Sequence, residues 1–370
     1  MRRFSTPAWA TLPLCLAVIN ATSNWGVETS NVFIGLYARD LGATNFQIGL
    51  IAAAAGIAYL LSSLLFGRLS DIHGRMMFIR AGLGLTAVSY LAQILVNSPH
   101  TLLMARGLIY LCLGINASVL VAYTYENQKQ VGNFISYGAL GWLFGALTAA
   151  IVKNYHALFI ISAAVSFVSF VFSFFLKDAA ETRLKVAMFP VGLIKSDWRV
   201  YLALFLRQFG GNAIWSVWPL YQTSIGATKL WIALVEMTNM VGQIIFMRLI
   251  EKFDPGKMFK IGLVGSAAVF AAYGLANHYW ELIATQAALS FVYSAMFAGA
   301  LAYLLRRHKE YGTTSGLMNS FNALSGALGP FMGGAVSQAW GYPALMYISA
   351  GVTMLGFGTA AGLKTGDKKR

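Results

Sequence analysis

Residues 67–77 read GRLSDIHGRMM, a short polar segment between two long apolar runs at 45–66 and 77–97. Glycine gives such a turn conformational freedom, and the charged side chains keep it hydrated. A second segment of similar composition, RLIEKFDPGKM at 248–258, again joins two apolar runs. Polar turns that recur between long apolar segments are typical of a chain that crosses a membrane repeatedly.

Apolar runs of this kind fill the chain, which is 58% hydrophobic and only 11% charged. A soluble globular chain carries about a quarter charged residues. At about 20 residues per membrane-spanning helix, the sequence predicts an all-α membrane protein with spans near 11–38, 45–66, 77–97, 102–125, 132–152, 156–176, 199–224, 229–250, 258–276, 280–305, 313–339 and 342–363.

The formal net charge of +14 has an uneven distribution along the chain. With the N-terminus inside, every Lys and Arg falls in a cytoplasmic segment or at the cytoplasmic end of a span, except Arg39, Lys153 and Lys229 outside, and Arg106 and Arg207 well within spans. The positive-inside rule produces this asymmetry. It predicts a multi-pass protein of the cell membrane with both termini cytoplasmic, and it removes the reason to expect nucleic-acid binding.

Other classes of protein find little support in the sequence. Cys15 and Cys112 lie in apolar segments and are expected to pack as small hydrophobic residues. No glycine-rich nucleotide loop follows a strand, and the five His are scattered. We therefore expect no enzyme, no cofactor and no metal. Arg2 and Arg3 precede a segment longer than the apolar region of a signal peptide, so the first helix is expected to remain.

The two halves of the chain resemble each other. Tyr37 followed by LGAT at 41–44 matches Tyr221 followed by IGAT at 225–228, and GALG recurs at 138–141 and 326–329. The two polar turns lie between these pairs in the same order. The repeat predicts an N-terminal six-helix bundle at 1–176 and a C-terminal bundle at 198–370, joined by a cytoplasmic linker at 177–197. In transporters with duplicated halves, the substrate site forms between the halves.

Gly67, Asp71, Gly74 and Arg75 resemble motif A of the major facilitator superfamily, in the loop where the family carries it. Methionines at 76 and 77 replace the usual trailing basic residues. The resemblance implies two six-helix bundles related by pseudo-twofold symmetry, transport by alternating access, and a monomer sufficient for function. It also implies that this loop is a cytoplasmic gate with Asp71 at its centre.

Glycines in the fifth and eleventh spans form a second pattern. Those in the eleventh span resemble the core of motif C, which marks antiporters when it lies in the fifth span, where this chain has Trp142 in place of the proline. The other interpretation is close helix packing, with a bend at the proline. The residues concerned are Gly138, Gly141, Gly145, Gly326, Gly329, Pro330 and Gly333.

Four ionisable residues lie well inside spans: Glu28, Arg106, Arg207 and Glu236. A charge at the bilayer centre costs about 2.5–3.5 kcal/mol on insertion scales, so each must face the interior, pair or be neutral. Glu28, Arg106 and Glu236 are the candidates for proton coupling. A structural ion pair between Glu28 and Arg106 is the alternative. The family motif around the fourth-span arginine has a glycine where this chain has Tyr110.

Polar side chains also share helical faces inside the spans. Asn20, Asn24, Glu28 and Asn31 are spaced i, i+4, i+8 and i+11, so one face of the first span is polar and favours water or substrate. Arg207 could recognise an anionic group or only neutralise Glu236. The substrate-binding candidates are Asn20, Asn24, Asn31, Tyr110, Arg207, Trp215, Trp218, Asn239 and Gln243.

Two transport functions fit these residues. The first is proton-coupled efflux of small amphipathic compounds, a drug:proton antiport, with a small molecule, protons and the lipid bilayer as partners. The alternative is uptake or exchange of a small polar or anionic solute, such as a sugar or an organic acid. In that case Arg106 and Arg207 could hold a carboxylate or phosphate between them.

Overall fold

The computed structural model describes residues 12–128, 131–176, 191–250, 252–308 and 311–363. These residues are almost entirely helical, and no β-strand occurs among them, which confirms the predicted all-α class. Residues 177–190 of the predicted linker lie outside the described part.

The described part of the first half contains seven α-helices and one 3-10 turn at Gln93–Leu95. The helices are α1 (Leu12–Asn31), α2 (Ile34–Asp40), α3 (Asn45–His73), α4 (Arg75–Ala92), α5 (Pro99–Gln128), α6 (Val131–Val152) and α7 (Tyr155–Ser173). The described helices of the second half are α8 (Val191–Ser196), α9 (Trp198–Ser224), α10 (Lys229–Ile250), α11 (Pro255–Leu275), α12 (Glu281–Arg307) and α13 (Tyr311–Ala360).

These bounds follow the predicted spans closely, with two differences. The first span is divided at Val32 and Phe33 into α1 and α2. The last two spans share the label α13, but the non-helical backbone of Gly341, at φ 81° and ψ 174°, separates them into two helices joined by a kink. Glycine tolerates this backbone region because it has no Cβ. Among the described helices, eight are long and apolar enough to cross a membrane, and α13 is one of them.

The internal repeat is visible in the backbone where the first span of each half ends. Gly42 has φ 86° and Gly226 has φ 91°. The amide of Gly42 donates to Arg39 O and that of Ala43 to Ala38 O, both at 2.9 Å. The amides of Gly226 and Ala227 donate to the corresponding carbonyls, both at 3.0 Å. Each half therefore ends this helix with the same left-handed glycine cap, which satisfies carbonyls that the helix leaves unpaired.

The contacts divide the chain into two compact units. Unit 1 comprises Met1–Ile34 and Ala58–Lys185, and unit 2 comprises Gly35–Ile57 and Val186–Arg370. The boundary crosses α3 because the first part of that helix packs against α13. A Cβ built on Gly49 would lie 2.8 Å from the Cα of Gly334, and one on Gly56 would lie 2.6 Å from the oxygen of Gly326. Only glycine allows backbones to approach this closely.

Each unit has its own core. In unit 1, α1 packs on α6 and α7, and α4 packs on α5 and α7. Leu16, Ile19, Ile79 and Tyr123 belong to one buried cluster there. In unit 2, α9 packs along α13, while α12 contacts α10 and α11. The resulting framework fixes the polar side chains that the sequence places inside the spans.

A charged cluster joins the beginning of α9 to the end of α12 in unit 2. The carboxylate of Asp197, which is 2% exposed, contacts Arg307 Nε at 2.9 Å and also His308 Nε2. Ser196 Oγ donates to Asp197 Oδ2 at 3.0 Å. Asp197 is the N-cap residue of α9, but its side chain does not cap that helix. The carboxylate instead connects two helices that lie far apart in the sequence.

Replacing Asp197 by Ala is expected to lower the free energy of unfolding of unit 2 by about 1–3 kcal/mol, because a buried acceptor of charged donors is removed. The side chain of Arg307 is 43% exposed, and solvent reduces the loss relative to a fully buried pair. Thermal unfolding followed by tryptophan fluorescence measures the change. Lys195→Gln removes an exposed charge nearby and is the control. An unchanged midpoint for Asp197→Ala would show that the cluster adds no stability.

Candidate functional site

Arg106 on α5 is the centre of a buried polar group in unit 1, and it is 4% exposed. Its Nη1 donates to Ser30 Oγ at 3.2 Å and to Gln93 Oε1 at 3.3 Å. Its Nη2 donates to Asn31 Oδ1 at 2.7 Å and to the hydroxyl of Tyr110 at 3.2 Å. The guanidinium also lies 4.9 Å from the ring centre of Tyr110. Neutral acceptors from α1, α5 and the 3-10 turn therefore surround this charge.

Glu28 lies on α1 one turn before Asn31 and is 3% exposed. A Cβ on Gly145 of α6 would lie 2.5 Å from the Cβ of Glu28 and 3.0 Å from its Cγ. The missing side chain of Gly145 thus makes room for the methylenes of Glu28. The structure places this carboxyl inside unit 1, on the same helix as two of the acceptors that hold Arg106.

The other two members of the polar face on α1 bind α6. The amide of Asn20 donates to the carbonyl oxygen of Phe134. The amide of Asn24 donates to the backbone oxygen and to Oδ1 of Asn20 at 2.8 and 2.9 Å. Trp142 Nε1 in turn donates to Asn24 Oδ1 at 2.7 Å. These two asparagines connect helices within unit 1, while Asn31 binds Arg106.

The glycines of α6 and α13 face the first helix of their own half. A Cβ on Gly141 would lie less than 3.0 Å from the oxygen of Ala21, and one on Gly333 would be equally close to the oxygen of Ala213. Gly329 likewise faces α9, at 2.9 Å from the Cβ of Asn212. The packing of α6 on α1 therefore corresponds to the packing of α13 on α9, as the internal repeat predicts.

Arg207 on α9 is 1% exposed in unit 2. Its Nε donates to Ser266 Oγ at 3.1 Å, and its Nη1 donates to Gln208 Oε1. The guanidinium lies 5.2 Å from the ring centre of Phe270 and 5.0 Å from that of Tyr293. Within the described part of the chain, none of its contacts is a carboxylate, so the structure does not show it neutralising Glu236.

The two tryptophans of α9 occupy different surroundings. Trp218 is 1% exposed and belongs to the core of unit 2, with its ring 4.7 Å from that of Tyr273. Trp215 is half-buried and packs at the edge of that cluster, 5.1 Å from Trp218. Of the two, only Trp215 lies at the margin of the core.

The polar residues of α10 are half-buried. Asn239 Nδ2 donates to the backbone oxygen of Gln286 at 3.4 Å, and Gln243 Nε2 donates to Asn239 Oδ1. The first bond connects α10 to α12, and the second lies within α10, on the face that also carries Glu236. The predicted face of α10 is therefore present in the fold.

The turn at residues 67–77 has a defined backbone. Gly74 has φ 91° and separates α3 from α4, and its amide donates to Ser70 O at 3.1 Å. Arg75 Nη1 donates to Ser70 Oγ at 3.4 Å. The side chain of Asp71 lies outside the described part. The corresponding turn in the second half ends differently, because Asp254 Oδ1 caps α11 by accepting from Lys257 N at 2.8 Å.

Sequence reasoning missed three neighbours of Arg207. Ser266, Phe270 and Tyr273 are spaced i, i+4 and i+7 on α11, so they share one face of that helix. This spacing can be recognised in the sequence. Ser266 and Tyr273 are uncharged, however, so their face of α11 resembles an ordinary packing face. The Asp197 cluster was also missed, since its members lie at the ends of helices far apart in the chain.

The described part of the chain is helical, has eight helices apolar enough to cross a membrane and buries ionisable side chains within its helices, as polytopic transporters do. The sequence profile of the Major Facilitator Superfamily matches residues 14–202 and 200–369. The chain therefore belongs to the major facilitator superfamily, a family of membrane transporters.

Individual relatives agree with this assignment. The chain is 25% identical over 359 residues to the multidrug resistance protein MdtG of Salmonella arizonae, with 87% of each chain covered. It is also similar to a mutant of the nucleoside transporter NupG, with a TM-score of 0.78 and 13% identity, covering 96% of this chain and 100% of the other. The human organic anion transporter MFSD10 gives a TM-score of 0.73 at 16% identity, covering 95% and 100%. The structural likenesses, at these identities, establish the fold alone.

Proposed function

We propose that this protein is a secondary active transporter that exports small amphipathic compounds in exchange for protons. The observation that carries the proposal is the carboxyl group of Glu28, buried in the interior of unit 1 on a helix that also contacts Arg106. The relatives named multidrug resistance protein support the substrate class.

The buried carboxyl suits proton transfer for an electrostatic reason. A negative charge in the interior of a membrane protein is costly unless a cation or solvent stabilises it. A carboxyl group can avoid that cost by binding a proton, and it can release the proton when its surroundings become more polar. Alternating access provides such a change once in each cycle, so Glu28 is the proposed proton carrier.

The remaining proposed roles are those that the family resemblance implies for the polar turn, the termini and the oligomeric state. The turn at 67–77, with Gly67, Asp71, Gly74 and Arg75, is the proposed cytoplasmic gate. We place both termini in the cytoplasm and the protein in the cell membrane, where a monomer suffices. Glu236 is a second proposed proton-coupling residue, because it is half-buried on a polar face of α10.

Purified protein in liposomes that contain a pH-sensitive dye tests the proposal. Lipophilic cations, sugars and organic anions are added in turn under an imposed proton gradient. We expect an amphipathic compound to drive a proton flux that protein-free liposomes lack. Movement of a radiolabelled solute without any proton flux would instead indicate a facilitator and contradict the antiport.

A second candidate function is transport of a small polar or anionic solute. The observation that favours it is Arg207, a buried guanidinium without a carboxylate among its described contacts. The structural neighbours named as nucleoside and organic anion transporters have the same fold. The same assay separates the two functions, since it compares amphipathic cations with anions and sugars.

A further inference from the structure

The surroundings of Arg207 are rich in hydrogen-bond donors that lack an acceptor. A guanidinium has five N–H groups and no acceptor atom. In the described structure, Arg207 uses Nε and Nη1 on Ser266 and Gln208, whereas its buried Nη2 has no hydrogen-bond partner. The hydroxyl of Tyr273 and Nε1 of Trp218 are likewise buried without a partner.

These donors lie in one region of unit 2. The rings of Trp218 and Tyr273 are 4.7 Å apart, and Tyr273 is adjacent to Phe270, over whose ring the guanidinium lies at 5.2 Å. A buried polar group without a partner is energetically costly, and more so if it is charged. Arg207 Nη2 is the charged donor among these groups, and its lack of a partner indicates a missing negative group.

Arg106 provides the comparison within the same chain. It is also buried, but its two Nη atoms make four hydrogen bonds to side chains of α1, α5 and the 3-10 turn. Its charge is solvated by the protein itself. The protein solvates the corresponding atoms of Arg207 only in part, because Nη2 has no partner among the described residues.

Gly211 leaves space next to the guanidinium. It lies one turn after Arg207 on α9, and a Cβ at this position would be 3.4 Å from Arg207 Nη1 and 3.7 Å from Trp215 Nε1. Gly211 therefore leaves a notch about the size of one Cβ, which Arg207 Nη1, Trp215 Nε1 and, at 3.5 Å, Phe270 Cζ border. A guanidinium with neighbouring N–H and O–H donors is the chemistry that recognises a carboxylate or another monovalent anion.

We propose that Arg207, Tyr273 and the notch at Gly211 form an anion-binding subsite in unit 2. The occupant is either the carboxylate of a transported solute or a chloride ion. As a site for solute, it rests on the second candidate function, transport of an anionic solute, and defines that solute as a carboxylate. In this structure Arg207 is 1% exposed, so the anion enters when the helices around it separate during the transport cycle.

Thermal unfolding of the purified protein in chloride-free sulfate buffer, followed by tryptophan fluorescence, tests the subsite without any transport. Benzoate is the carboxylate probe, benzamide is its uncharged match, and potassium chloride is the inorganic probe. We expect benzoate to raise the unfolding midpoint of the wild type and benzamide to leave it unchanged. Arg207→Gln should weaken the apparent affinity for benzoate by roughly tenfold to a hundredfold, the usual loss for a charged hydrogen bond.

Arg199→Gln removes an arginine from the same helix outside the subsite and should bind benzoate like the wild type. If Arg207→Gln does not fold, Tyr273→Phe removes a single hydroxyl and should weaken benzoate binding severalfold.

A chloride effect that also depends on Arg207 would assign the site to the inorganic ion. Equal responses to benzoate in wild type and both subsite variants, or equal effects of benzoate and benzamide, would overturn the proposal. A lack of proton flux in the liposome assay would contradict the proposed antiport but would not change this result, because the unfolding assay measures anion binding without transport.

Discussion

Glu28→Gln is expected to abolish substrate-driven proton flux in liposomes while the protein remains folded. Glutamine has almost the same shape as glutamate and keeps the packing of the side chain against Gly145. It cannot bind or release a proton at physiological pH. If Glu28 carries the proton, coupling is lost completely, and any remaining solute movement no longer responds to the pH gradient.

Two further variants make this result specific. Glu28→Asp keeps a titratable group but shortens the side chain by one methylene, so we expect a reduced flux rather than none. Glu281→Gln removes a carboxylate at the beginning of α12, where it accepts from Asn277 N at 3.0 Å, and should leave the flux unchanged. Normal proton flux in Glu28→Gln would mean that Glu28 serves only the packing of unit 1.

Gly141→Val is expected to prevent the stable folding of unit 1. A Cβ at residue 141 would lie less than 3.0 Å from the backbone oxygen of Ala21 and 2.9 Å from the amide nitrogen of Trp25. The neighbouring atoms are backbone, so they can move only if α1 and α6 separate. Overpacking of a core costs about 1–3 kcal/mol, and more where backbones must shift. Separation would also break the bonds from Asn20 and Trp142.

The measurement uses the two cysteines of the chain. Cys15 and Cys112 are both buried in unit 1, so a thiol-reactive dye labels them as this unit unfolds. Gly141→Ala should already lower the midpoint. Gly107→Ala is the matched control, because a Cβ there meets no atom within 4 Å. Alanine is favoured over glycine in a helix by about 1 kcal/mol, so this control should be neutral or stabilising. The same direction of change in both variants would contradict the packing argument.

Much of the fold was predictable from local sequence. Membrane spans follow from runs of apolar residues, and the described helices begin and end close to the predicted bounds. The matching of 41–44 with 225–228 predicted duplicated halves, and the paired left-handed glycines at 42 and 226 have the same turn geometry. These features depend on residues within one helix or turn, which a single sequence displays directly.

The candidate site was predictable only in part. Helical periodicity placed Asn20, Asn24, Glu28 and Asn31 on one face of α1, but it did not show which neighbour that face meets. In the structure Asn20 binds the backbone of Phe134, 114 residues away, and Asn31 binds Arg106, 75 residues away. Trp218, a candidate for substrate contact, lies in the core of unit 2.

The sequence by itself determined the family, the helical segments, the repeat and the presence of ionisable residues inside the spans, because hydrophobicity and turn chemistry act locally. Only the tertiary structure decided which buried charges are solvated. Among the described residues, Arg106 finds four acceptors and Arg207 finds two. The difference arises because hydrogen bonds act over about 3 Å, and the packing of distant helices alone brings donors and acceptors within that distance.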